Sequence, residues 1–373
     1  MMYSDFYEQY LYAEEPDTCE RALTWDISIG LQAVDGLEVS EYLKEVSREH
    51  IEGYISMPEV QQRIASYYAE HKEQNGKSAD EADKVAANIA AILNEPTFLF
   101  SPAGFAGIHR KLFHNVFKFA GKIRDYNITK KEWVLGGDTV QYAHFSDLIM
   151  ALDYDIEKEK RFSYKGLSKE EKVSHIAHFI ADIWQIHPFP EGNTRTTAVF
   201  CIKYLRYLGF KVSNQLFARK ARYFRDALVR ANYSNIEKGV SADDSFLLRF
   251  FKMLLLGEYL ELHSRDVHIH AAPLEQKTVT PSSVEPVSHP APIDDSSVFA
   301  LLKAMGGDTV SIREMMLRLH LKGRDNFLKN YFTPALSAGY ILPLYPDTPR
   351  HPRQKYLLSD TGRKVLKKRK GKQ

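Results

Sequence analysis

The stretch from His187 to Thr196, HPFPEGNTRT, decides how the chain is read. Upstream, KEEKVSHIAHFIADIWQIH sets Val173, Ile176, Ala177, Ile180, Ile183 and Trp184 on one helical stripe. Downstream, TAVFCIKYLRYLGF forms another apolar-faced helix that stops at Gly209. Pro188 and Pro190 forbid helix between the two. Gly192 lets the backbone turn tightly, and Asn193 is a favoured cap, so the next helix is expected to begin around Thr194. A helix start after a glycine turn presents unpaired N–H groups and partial positive charge, which suits an anion. Arg195, in that first turn, opposes the helix dipole unless a phosphate is there to be gripped. Glu191 would repel such an anion unless a cation lies between them, and Mg²⁺ is bound in this way by carboxylate together with phosphate oxygens. His187 stands ready to take a proton from an attacking hydroxyl. The cluster reads as a site for transferring a phosphorus-bearing group from a nucleotide.

The rest of the chain agrees with an ordinary globular protein. Its 373 residues suggest roughly two or three domains. Hydrophobic residues make up 44% and charged residues 26%, with a formal charge of +2, so only a local patch could meet nucleic acid. The two cysteines, Cys19 and Cys201, do not suggest a disulfide framework, and a reducing cytoplasm is expected. The start, MMYSDFYEQYLYAEE, lacks the basic flank and apolar core of a signal peptide. The most apolar helix, FLLRFFKMLLL, is interrupted by Arg249 and Lys252, so no membrane span is expected.

Helix signals dominate. Residues 1–75 read as a helical region in which Ser40 and Ser56 are N-caps and Gly53 is a stop. Residues 76–265 read as the catalytic domain. Within it, GIHRKLFHNVFKFAG is a helix expected to end at Gly121, and KKEWVLGGDTVQYAHF is a hairpin turning at Gly136-Gly137-Asp138. His175 and His178 could share a metal on their helix, but solvated or core histidines are the plainer reading. Residues 266–296 are rich in Pro, Ser, Thr and Val and read as a linker. Residues 297–373 run helix, helix, hairpin, the order of a winged helix.

HPFPEGNTRT resembles the motif of the Fic family, His-x-Phe-x-Asp/Glu-Gly-Asn-Gly-Arg-x-x-Arg, through His187, Phe189, Glu191, Gly192, Asn193 and Arg195. GIHRKLFHNVFKFAGKIRDYNI, WVLGGDTVQYAHF and YFRDALVRANYS resemble the flanking segments of that family. The resemblance implies a mainly α fold: a Fic-type helical core with a β-hairpin flap, here followed by a small winged-helix domain. It implies transfer of AMP from ATP to a Ser, Thr or Tyr hydroxyl of a target protein. In this reading His187 is the general base and Phe189 fixes the loop. Glu191 holds Mg²⁺, while Gly192, Asn193, Thr194 and Arg195 meet the phosphates. Tyr223 and Asn232 border the adenine. The flap, beginning at Trp133 and closing at Ala143, pairs with the target's main chain. The sequence departs from the family twice: Thr194 replaces a glycine, adding a hydroxyl to the anion nest, and Ala198 replaces the second arginine, leaving open which nucleotide is used.

The N-terminal region resembles the antitoxin partner of certain Fic toxins, whose inhibitory Ser/Thr-x-x-x-Glu-Gly/Asn pattern places a glutamate on the second arginine. Asp35 and Glu52 are the candidates, Asp35 favoured. With Ala198 in place, restraint is expected to come from steric cover rather than a salt bridge. The C-terminal region resembles the winged-helix module after some Fic domains, and Lys322, Arg324, Lys329, Arg350, Arg353, Lys355 and the tail RKVLKKRKGKQ could meet DNA phosphates. Protein contact or dimerisation is the alternative for that module. A nucleotide-sensing DNA-binding regulator and a γ-phosphate transferase remain the competing functions.

Overall fold

A computed structural model of the chain describes Tyr10 and residues 15–71, 77–210, 215–258 and 260–271, then 295–306, 310–321, 323–337, 340–343, 355–359, 362–363 and 365–366. The chain divides into two compact units, residues 1–275 and 276–373.

The first unit is helical throughout its regular structure. Its elements are α1 (Pro16–Gly30), α2 (Glu41–Ile51), α3 (Met57–Glu70), α4 (Lys77–Asn94), α5 (Pro102–Leu112), α6 (Leu148–Arg161), α7 (Lys169–Ile186), α8 (Asn193–Tyr207), α9 (Gln215–Ala231) and α10 (Ser245–Leu256). Local chemistry sets their ends. Ser40 accepts from the Leu43 N–H at 3.1 Å, Ser56 and Glu59 form a reciprocal capping box, and Gly209 leaves α8 at φ 84°. One core joins α5–α10 around Trp184, Phe200 and Phe224, and a second packs α1–α4 around Trp25, Leu43 and Val60. Helix α8 runs through the middle, with Asn193 to Leu205 buried on every side. Its buried Lys203 donates to the Ile92 and Glu95 carbonyls at the end of α4, where a cation complements the helix dipole.

Three expectations need correction. Helix α5 ends at Leu112, not Gly121, because Asn115 adopts a left-handed backbone with φ 59° and turns the chain. The segment around Gly136 forms no β-ladder: Trp133–Leu135 is a single 3-10 turn, and both Gly136 and Gly137 have positive φ. Backbone pairing across the turn joins Glu132 with Gly137 and Asp138, while Val134 O accepts from Ile269 N, Gln141 O from Gln185 and Ala143 O from Arg124. Ile269 belongs to a stretch expected in the linker; residues 264–267 instead form a 3-10 turn and the Val267 side chain is fully buried. Residues 272–294 lie outside the described residues.

The second unit has its own core. It contains α11 (Asp295–Met305), α12 (Ile312–Arg318), α13 (Arg324–Phe327), a π-helical stretch (Leu328–Phe332) and α14 (Thr333–Ser337). Strands β1 (Ile341–Pro343) and β2 (Tyr356–Leu358) pair antiparallel, Leu342 opposite Leu357. Apart from Lys355, the basic side chains named for DNA, and most of the tail, lie outside the described residues.

Helix α5 is the platform for the motif loop. The His109 ring stacks on Phe189 with centroids 3.8 Å apart, and Gly192 sits so close to Phe113 that an added Cβ would meet its ring at 2.2 Å. The Gly121 N–H donates to His109 Nδ1 at 2.8 Å, so Nε2 carries the proton that bonds the Glu191 carbonyl at 3.0 Å. Burial of this neutral ring lowers its pKa from 6.5 to about 4. Below pH 6.5 the unfolded chain protonates His109 while the folded chain does not, so stability falls as pH drops from 6.5 toward about 4. The full loss is on the order of 3 kcal/mol. Urea unfolding of the wild type against His109→Gln at pH 7 and pH 4.5 should show the wild-type advantage shrinking in acid; an unchanged difference would refute the assignment.

Candidate active site

The catalytic candidate His187 ends α7 in a left-handed conformation, φ 50° and ψ 58°. A residue with a Cβ rarely adopts this backbone, and Arg124 holds it there. The Arg124 guanidinium, 4% exposed, donates to the carbonyls of His187 at 2.8 Å, Tyr126 at 2.6 Å and Ala143 at 2.6 Å, while its backbone N–H bonds Pro188 O at 2.9 Å. Sequence reasoning missed Arg124, because nothing local marks a residue that acts 63 positions away.

The His187 side chain is almost fully buried. Tyr142 stacks on it with centroids 4.1 Å apart and Trp184 meets it edge-on. Nδ1 lies 3.0 Å from the Trp184 carbonyl, which can only accept, so Nδ1 bears the proton and Nε2 keeps its lone pair. Burial holds the pKa well below 6.5, and the positive charges of Lys130, Arg124 and Arg225 push the same way. The imidazole is therefore neutral at ordinary pH, with the tautomer a general base needs.

The loop after it is braced from within. The Asn193 amide donates to Phe189 O at 2.7 Å and accepts from Phe189 N at 3.0 Å, and Gly192, φ 80°, is the cap residue before α8. Helix α8 thus begins one residue earlier than expected, at Asn193. The Thr194 hydroxyl accepts from Trp184 Nε1 at 2.9 Å. That bond anchors the start of α8 to α7.

Arg195, expected at the phosphates, is held here by the N-terminal region. The guanidinium, 2% exposed, is 2.7 Å from Asp35 Oδ2 and 2.7 Å from Glu81 Oε1, bonds Gln32 at 3.2 Å, and lies over the Phe113 ring. The N-terminal region therefore holds a motif arginine by ion pairs, not by steric cover alone. A charge so deeply buried requires such partners, and the α8 N-terminus cannot supply them. Glu52 lies elsewhere: it ends α2 and accepts from Tyr10.

Two further candidates are not brought to the loop by any described contact. The Tyr223 hydroxyl is turned into the core and donates to Phe246 O at 3.1 Å. Asn232 donates to the carbonyls of Ala181 and Leu228. The flap instead reaches the loop through Lys130, whose Nζ is 2.8 Å from Glu191 Oε2. The flap is fastened to the rest by side chains: Trp133 Nε1 to Asp226, Glu132 to Arg225, and Asp138 to Tyr233 and Lys238. His175 pairs with Glu159 and His178 with Asp244, and no group of three metal-type ligands occurs among the described residues. Glu191, its side chain 54% exposed beside the helix start, still fits Mg²⁺ as a carboxylate ligand completed by phosphate oxygens.

Among solved structures, a Fic family protein from Desulfovibrio desulfuricans aligns over 96% of this chain and 91% of its own, at 17% identity and a TM-score of 0.42. A probable protein adenylyltransferase of Sinorhizobium fredii is 31% identical over 35% of this chain and 64% of its own length. A probable protein adenylyltransferase Fic of Escherichia coli is 30% identical over 31% of this chain and 54% of its own. The chain thus spans less than two thirds of these curated relatives. No described helix is long and apolar enough to cross a membrane. Residues 99–205, which contain His187 and the braced loop, match the Fic/DOC family model, and residues 296–359 match the C-terminal domain of filamentation-induced-by-cAMP Fic-like proteins. The chain therefore carries a Fic/DOC-family domain followed by a Fic-like C-terminal domain.

Proposed function

We propose that this chain is a protein adenylyltransferase that moves AMP from ATP to a Ser, Thr or Tyr hydroxyl of a target protein or of itself. The observation that carries this reading is the neutral His187, its tautomer set by the Trp184 carbonyl so that Nε2 keeps its lone pair, in the loop that leads into the N-terminus of α8. The hydroxyl oxygen attacks the α-phosphorus and its proton passes to His187 Nε2. The bond to the β-phosphate oxygen breaks and pyrophosphate departs. The N–H groups at the start of α8, with Gly192 and Asn193 shaping the turn, stabilise the phosphates. Glu191 would hold Mg²⁺, which supplies positive charge to the phosphate oxygens. The flap segment near Tyr142 and Ala143 borders the base and is the place for the target's hydroxyl-bearing segment. The names of the relatives support the same activity. The C-terminal unit, with its helices and hairpin, would serve as a docking module for a partner, DNA among the candidates.

Asp35, Glu81 and Gln32 restrain this activity by occupying Arg195. Phosphates and these carboxylates compete for one guanidinium, so the resting chain is held back until the N-terminal contacts open.

Incubation with α-labelled ATP and Mg²⁺ should label protein with the wild type and not with His187→Ala. Label retained from γ-labelled ATP instead would replace AMP transfer with phosphate transfer. Because burial keeps His187 unprotonated, the labelling rate should stay level as pH falls through 6.5 and drop only well below that value. Asp35→Ala should raise labelling roughly tenfold or more, the size of one charge-assisted contact; a rate equal to wild type would rule out restraint through Arg195.

A further inference from the structure

The motif helix is short of positive charge for a polyphosphate. Ala198, one turn beyond Arg195, is completely buried and offers none, and Arg195 is occupied by Asp35 and Glu81. The other cations near His187 are committed too. Arg124 is bound to backbone carbonyls, and Arg225 pairs with Glu132, whose side chain is 1% exposed. Lys130 differs. Its root is fixed, because its backbone N–H donates to Thr139 Oγ1 across the flap at 3.1 Å. Its ammonium lies on Glu191, the more exposed partner of the pair, so the contact is wet and easily exchanged. The ion pair with Glu191 places Lys130 at the motif loop, and its charge also acts on His187.

We propose that Lys130 is a further catalytic residue: its ammonium moves from Glu191 to the phosphate being transferred, supplying from the flap the positive charge that α8 lacks at Ala198. This rests on the reading of the site as one for a nucleoside triphosphate. Glu191 would hold the metal, which would supply positive charge of its own, and Lys130, freed from the carboxylate, would neutralise charge that grows on the phosphate as the hydroxyl attacks. The flap then senses the nucleotide directly, and target docking and phosphate binding are coupled through one side chain.

The test is calorimetric titration of ATP into the full chain, in EDTA and in Mg²⁺, for the wild type, Lys130→Met, Lys130→Arg and Lys131→Met. Lys130→Met should weaken ATP binding about 10- to 100-fold in EDTA and lower the labelling rate by at least as much. Lys130→Arg should restore most of both, and the neighbouring exposed Lys131 should change neither. Wild-type affinity in Lys130→Met, or no metal-free ATP binding by the wild type, overturns the proposal. So does tighter Mg²⁺ dependence with faster labelling in Lys130→Met, which would make the lysine a placeholder for the metal. Failure of the adenylyltransferase reading shows separately, as wild-type chain that binds ATP but labels no protein.

Discussion

Arg124 is the constraint on which the site depends. A non-glycine residue in the left-handed region costs on the order of 1–3 kcal/mol, and His187 is held there at φ 50°. Arg124 offsets that cost by gathering carbonyls from three segments: the end of α7, the motif loop and the close of the flap. Its donors fall on backbone acceptors, so its charge is solvated by dipoles and is not cancelled by a carboxylate. One buried guanidinium therefore shapes the base's backbone, and its charge adds to the burial and to the Lys130 charge that keep the ring unprotonated.

Charge is sorted around the loop with the same logic. Near the base the field is positive, from Lys130, Arg124 and Arg225. On the far side, Arg195 is drawn toward the carboxylates of the N-terminal region. A polyphosphate bound as proposed would meet favourable charge on the flap side and would compete for Arg195 on the other. In that proposal binding and restraint are opposite ends of one electrostatic balance, and the buried Ala198 supplies no further cation to relieve the competition. The contacts on Arg195 come from two elements at once, the turn carrying Gln32 and Asp35 and the helix α4 carrying Glu81, so loosening either alone leaves some of them in place.

Where the sequence was read correctly, the cause was local. The break between α7 and α8 follows from Pro188, Pro190 and the positive φ of Gly192, all within a few residues of the turn they make. Ser40 and Ser56 cap as expected because a cap bonds groups within a few residues of it. Phe189 is fully buried under the loop, in keeping with what the family resemblance implied for it.

By itself, the sequence determined the position of the motif loop, the order of helices around it and the break between α7 and α8, because helical period, caps and turn residues act over a few positions. Only the tertiary structure decided the partners. The Thr194 hydroxyl went to Trp184, the flap closed on side chains without a ladder, and Arg195 found Gln32 from 163 positions away. Glu81 carried no signal of its role, since a carboxylate on a polar helix face reads as solvated until the fold places a buried guanidinium beside it. A long flexible cation can satisfy its charge with any acid the fold brings near, and that choice is made by packing between distant segments.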